Sequence, residues 1–166
     1  MGFRFGKVAV AAAAVSVAMS AGVALAHDDM GAVPDTPAAK AVVARHHNFK
    51  QLGGAFKAIS DELKKDAPDK AVIAANAQKM NTLASQEASW FPKGTGPEAG
   101  VKTGAKPVIW TDPQGFAAAI HKLQAETGKL QQVATAGDLA AIKAQVQATG
   151  GACKNCHDKF RVPDKD

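Results

Sequence analysis

Five consecutive residues, Cys153-Lys154-Asn155-Cys156-His157, carry the most explicit chemistry in the chain. Two thiols three positions apart, followed at once by a histidine, form the pattern for covalent haem attachment. Each thiol can form a thioether with one haem vinyl group, and the histidine is then placed to bind the iron on one side. The chain has no other cysteine, so this single act uses both. Other chemistries use the same spacing. A structural zinc site needs a second ligand pair, and the sequence offers none. A thioredoxin-type redox pair should follow a strand and open a helix, whereas this motif sits late in a helical segment. A plain disulfide within one helical turn has poor geometry and leaves the adjacent histidine without a role.

Covalent haem attachment takes place outside the bacterial cytoplasm, so an export signal is expected. Residues 1–26 read as one: Arg4 and Lys7 form a basic start, Val8 to Ala24 an uncharged alanine-rich core, and Ala24-Leu25-Ala26 a cleavage site. A retained membrane anchor fits less well, because the core is weakly apolar and a good cleavage site follows it. The mature chain is then 27–166, one domain, exported to the periplasm. Cleavage removes Arg4 and Lys7, leaving 18 basic against 15 acidic residues and a net charge of +3. That gives no case for nucleic-acid binding. No other segment approaches the roughly 20 apolar residues a membrane span requires.

Four helices must position the motif. Thr36-Pro37 is a cap followed by a first-turn proline. Val42, Phe49, Leu52, Phe56, Ile59 and Leu63 then mark one apolar seam, with an end expected near Asp66. Gly53 and Gly54 interrupt this helix and offer room for the close approach of a neighbouring helix or a flat cofactor. Asp69 caps a second helix with Ile73, Met80, Leu83 and Trp90 on its seam and Pro92 as its stop. Residues 91–112 form a long crossover rich in glycine and proline, whose end Ile109 and Trp110 pin to the core. Asp112-Pro113 starts a third helix with Phe116, Ile120, Leu123, Leu130 and Val133. Gly137-Asp138 breaks and recaps the chain. In the last helix Leu139, Ile142, Val146, Thr149, Cys153, Cys156 and Phe160 alternate at spacings of 3 and 4, which places both cysteines on the core stripe. The expected fold is all-α: an antiparallel up-and-down four-helix bundle with the haem in its core.

Four stretches in order give this chain a family likeness: Ala44-Arg45-x-x-x-Phe49-Lys50-x-Leu52-Gly53-Gly54, Phe91-Pro92-x-Gly94-Thr95, Lys106-Pro107-x-Ile109-Trp110, and Gly151-x-Cys153-Lys154-x-Cys156-His157-Asp158-x-Phe160-Arg161. With the haem motif near the end of the sequence, the chain resembles cytochrome c′, the high-spin class II cytochromes c, over 36–162. The resemblance implies one haem c held by Cys153 and Cys156, with His157 as axial iron ligand. It implies that Arg161 lies near that histidine, where its charge could tune the iron; a solvated helix-end cation is the plainer alternative. It implies that Arg45 contacts a haem propionate, as guanidinium suits carboxylate, a surface arginine being the alternative. Thr103 and Gly104 fall where the crossover of the family approaches the haem edge.

Phe49 carries the functional expectation. In the related low-spin proteins a methionine at this place is the sixth iron ligand. Phenylalanine cannot coordinate, and the mature chain's two methionines, Met30 and Met80, stand elsewhere. The resemblance therefore implies five-coordinate iron beneath an apolar lid, open to small neutral diatomics such as NO and CO. His46, between Val42 and Phe49, keeps alive a low-spin electron-transfer alternative in which its imidazole is the sixth ligand; His121 and His27 have weaker claims. Gas binding and one-electron exchange with periplasmic redox partners use the same site. No general acid or nucleophile constellation accompanies the motif, which argues against an enzyme. The resemblance further implies a homodimer through the first two helices.

Overall fold

The computed structural model describes residues 32–163 together with Gly2. The proposed export signal, His27 and Met30 lie outside the described residues. Helix α1 spans Pro37–Glu62, α2 Lys70–Gln86, the single-turn α3 Val108–Thr111, α4 Pro113–Ala136 and α5 Leu139–Phe160. No strand occurs among the described residues.

Each long helix begins where its capping chemistry directs. The Thr36 hydroxyl accepts a hydrogen bond from the Ala39 N–H at 3.1 Å, and Pro37 occupies the first turn. The Asp69 carboxylate accepts from Ala71 and Val72, Asp112 from Gly115, and Asp138 from Ala140 and Ala141. These side chains satisfy N–H groups that have no partner within the helix. Gly137 closes α4 in the left-handed region at φ +75°, which only glycine enters freely.

Two ends differ from the sequence expectation. Helix α1 stops at Glu62 rather than near Asp66. The N–H groups of Lys64 and Lys65 bond three residues back, to Asp61 and Glu62, and the Glu62 carboxylate turns to accept the Asp69 N–H at 3.0 Å. Helix α2 does not run to Trp90. It tightens into a 3₁₀ turn over Glu87–Trp90. At three residues per turn, Glu87 and Trp90 come onto one face, and both are buried.

Helix α1 packs on α2, α2 on α4, and α4 on α5. Between α1 and α5 no comparable backbone approach occurs; side chains bridge that side, as where Phe56 faces Gly150. The main core joins Leu52, Ile59, Ile73, Met80, Leu130 and Ile142, with Phe49 and Cys153 packed against it. A second apolar cluster at one end holds Ile109, Phe116, Ile120 and Phe160, with Phe91 and Cys156 against it. The expected close approach at Gly53 and Gly54 is absent within this chain. Both are exposed, and nothing lies within 4 Å of where a Cβ would stand.

Candidate functional site

The stripe of α5 delivers its cysteines to the junction of the two apolar clusters. Cys153 faces the main core and Cys156 the aromatic end; both are half-buried and unbridged. Burial, and secondly the charge of Glu87, pushes the Cys153 thiol from 9.0 to about 11 and that of Cys156 to about 12. Thiols held protonated are the opposite of the activated thiolate that a redox pair or a metal site uses. Among the described residues no group of three or more His, Cys, Asp or Glu side chains could hold a metal ion. The two unbridged thiols on the inner stripe are consistent with attachment of an apolar ring.

His157 is exposed in the last turn of α5, and the Arg161 N–H donates to its carbonyl at 2.9 Å. A shallow depression of about 260 Å³ is lined by His157, Asp158, Arg161, Val162 and Pro163. The end of the crossover is stitched to this region. The Val162 N–H donates to the Gly104 carbonyl at 2.8 Å, and the Lys106 N–H to the Phe160 carbonyl at 3.0 Å. Gly104 is thus beside Arg161: a Cβ there would stand 3.5 Å from the Arg161 Cγ. The Trp110 indole N–H holds the other part of the crossover through the Phe91 and Pro92 carbonyls, both at 3.2 Å.

Across the bundle, Phe49 is half-buried on α1. Its ring meets Trp90 edge-on at 5.1 Å between centroids and Phe91 at 6.0 Å. Further edge contacts run from Phe91 to Phe116 at 4.7 Å and on to Phe160 at 5.1 Å. Phe49 and Cys153 both pack against the main core.

Arg45 is 4% exposed, so the surface alternative is set aside. Its terminal nitrogens donate to the Thr95 carbonyl at 2.8 Å, the Thr95 hydroxyl at 3.0 Å, the Thr103 hydroxyl at 3.0 Å and the Trp90 carbonyl at 3.4 Å. The guanidinium lies 4.7 Å from the Phe91 ring centre. Burial lowers it from 12.5 to about 10, opposed by the nearby Glu98 charge. Thr103, expected only as a haem-edge residue, is therefore also a partner of Arg45.

His46 stands at the surface of α1. Its side chain is exposed, as is that of His47. At about 100° per residue, position 46 sits roughly 120° from Leu52 on the helix wheel, while Arg45 stays within about 20° of it. His121 is also exposed, and Met80 is fully buried in the core.

Two contributors escape the sequence reading. Thr95 appears there only as part of a matching stretch. Glu87 appears nowhere, although Met80, Ala84, Glu87 and Trp90, at spacings of 4, 3 and 3, place a carboxylate on an apolar stripe. Glu87 is 2% exposed, and its Oε2 has no hydrogen-bond partner among the described residues. Two inward thiols, flanking aromatic rings, the wide α1–α5 side and an orphaned carboxyl oxygen together fit a haem.

The comparisons with known proteins agree. The family model described as Cytochrome C' matches residues 40–161. Cytochrome c′ of Rubrivivax gelatinosus is 39% identical over 122 residues, covering 73% of this chain and 93% of that one. Its crystal structure superposes with a TM-score of 0.67, covering 73% of this chain and 94% of that one. A nitric oxide complex of a variant cytochrome c prime from Alcaligenes xylosoxidans aligns at 31% identity and TM-score 0.69, covering 76% and 97%. A carbon monoxide-bound variant from the same organism aligns equally well. This helical chain, with its paired thiols turned into the bundle, belongs to the cytochrome c′ family.

Proposed function

We propose that the protein is a periplasmic haem c protein whose iron, held on one side by His157, binds NO or CO on the other and exchanges single electrons. When bound, the haem supplies an iron that takes one axial ligand from the protein and one small molecule from solution. Cys153 and Cys156 anchor it to the inner stripe of α5. His157 follows within the same turn and would provide a nitrogen to the iron, with Arg161 one turn on. Phe49 covers the opposite side with a ring that cannot coordinate, and Trp90 and Phe91 brace that ring.

The observation that carries this reading is Phe49 packed against the same core as Cys153, while His46, three residues earlier, is exposed. An apolar lid keeps water and charged ligands out while admitting small neutral diatomics. The NO and CO complexes of the Alcaligenes proteins support the same ligand class. Optical and EPR spectra of the purified holoprotein test it: the expected iron is five-coordinate and high-spin in the ferrous state, and a low-spin spectrum at neutral pH would refute the role given to Phe49. In Phe49→Met, a thioether replaces the lid and the spectrum should move toward six-coordinate, low-spin iron.

A further inference from the structure

Four charged side chains are buried among the described residues: Arg45, Glu62, Glu87 and Glu126. Three are answered. Arg45 is held by Thr95 and Thr103, Glu62 by Lys65 and the Asp69 N–H, and Glu126 by Lys122 and Gln145. Glu87 differs: its Oε2 is enclosed and without a partner. Leaving such a group unsatisfied is costly, more so when it is charged, so its position calls for a role.

That position is specific. Glu87 lies in the turn that also carries Trp90, the ring braced against Phe49. Its charge is felt by both Cys153 and Cys156. Those sulfurs mark the haem periphery on the haem c reading, on which this inference rests, so the buried carboxyl belongs to the same end of the bundle as the haem edge. One charge reaches this turn: the Arg45 guanidinium donates to the Trp90 carbonyl at 3.4 Å, while the Glu87 Oε2 keeps no hydrogen bond. Helix α1 turns Arg45 toward the crossover, α2 keeps Lys79 exposed, α4 closes Glu126 with Lys122 and leaves His121 exposed, and thioether sulfurs on α5 are uncharged.

We propose that Glu87 is a proton-binding site coupled to the iron: when the ferric haem accepts one electron from a one-electron reductant, the Glu87 carboxylate takes one proton from solvent, and it returns the proton on reoxidation. Electrons and charge balance, since one electron enters the iron as one proton enters the carboxylate. The sign follows from Coulomb's law. Ferric haem carries one more positive charge than ferrous haem and stabilises the nearby carboxylate, so reduction weakens the acid. Burial already raises this carboxyl from 4.5 to about 7, which brings the exchange into the neutral range.

The test is the reduction potential of the holoprotein measured against pH, by spectroelectrochemistry, in the wild type and in Glu87→Gln. The amide keeps the shape and removes the proton. Across the window near neutrality the wild type should fall with rising pH, by at most about 59 mV for each tenfold drop in proton activity in a one-electron couple. Glu87→Gln should lose that slope and keep the wild type's low-pH potential. Redox difference infrared spectra should show a protonated-carboxyl band that grows on reduction and is missing in Glu87→Gln. Equal slopes in the two proteins, or no carboxyl response, overturns the proposal while leaving the haem c reading intact. A purified protein without covalent haem overturns both.

Discussion

Replacing Arg45 with methionine asks how much one buried cation holds the crossover in place. Three of its bonds, at 2.8, 3.0 and 3.0 Å, are short and charge-assisted. Hydrogen bonds to charged groups contribute about 1.5–3 kcal/mol each. The guanidinium 4.7 Å from the Phe91 ring centre adds about 2 kcal/mol in a desolvated setting. Against this stands the cost of burying the charge. Lowering the guanidinium from 12.5 to about 10 corresponds to roughly 3 kcal/mol. Methionine avoids that cost and fills part of the volume, but leaves the Thr95 carbonyl without its charged donor and the Thr103 hydroxyl with only the Ala105 N–H. Arg45→Met should therefore lower the unfolding free energy by about 3 kcal/mol. Urea denaturation of the holoprotein measures the loss, and hydrogen exchange over residues 92–107 locates it in the crossover. Arg45→Lys, with a single ammonium able to reach only some of the acceptors, should fall between the two. A loss under about 1 kcal/mol for Arg45→Met, with unchanged exchange over 92–107, would show that the crossover is held by something else.

Acid should weaken the α4–α5 contact through Glu126. Its carboxyl is lowered from 4.5 to about 2 by the hydrogen bonds from Lys122 and Gln145. A depressed carboxylate stabilises the fold above its unfolded value, so that contribution should be present above pH 4.5 and be lost as pH falls toward 2. Glu126→Gln should flatten the denaturation midpoint across this window, and an unaltered pH profile would count against the pairing. Gly137→Ala should cost about 1–2 kcal/mol in thermal unfolding, because φ is +75° and the new Cβ would also meet the Lys70 side chain at 3.4 Å; a neutral effect would mean the α4–α5 corner relaxes freely.

The helices were legible because their signals are local. The pairs Thr36-Pro37 and Asp112-Pro113, and the caps Asp69 and Asp138, each act within one turn of themselves, and all four function as the spacing implies. The seam that carries Cys153 and Cys156 inward needed only the helical period. What escaped depends on distant partners. Helix α1 ends at Glu62 because that carboxylate reaches a backbone N–H seven residues on. The α-to-3₁₀ change at Glu87 accompanies the packing of Trp90 on the distant Phe49. The helical period already sets Arg45 nearer than His46 to the Leu52 face; what it could not show is the threonine acceptors, 50 and 58 positions away, that hold the guanidinium. Glu87 was overlooked because a carboxylate on an apolar stripe reads as a blemish until its surroundings are known.

The stitching of Gly104 and Lys106 to Val162 and Phe160 has a consequence in time. Helix pairs α1–α2 and α4–α5 are neighbours in sequence and can meet early, since short loops close at little entropic cost. The crossover cannot. Its front is clasped from α1 across 50 and 58 residues, and its rear by backbone that follows the last helix. Contacts of such separation form late. A chain emerging in order completes the crossover only after its final turn has appeared, so the segment flanking the haem motif is the last part of the bundle to take shape.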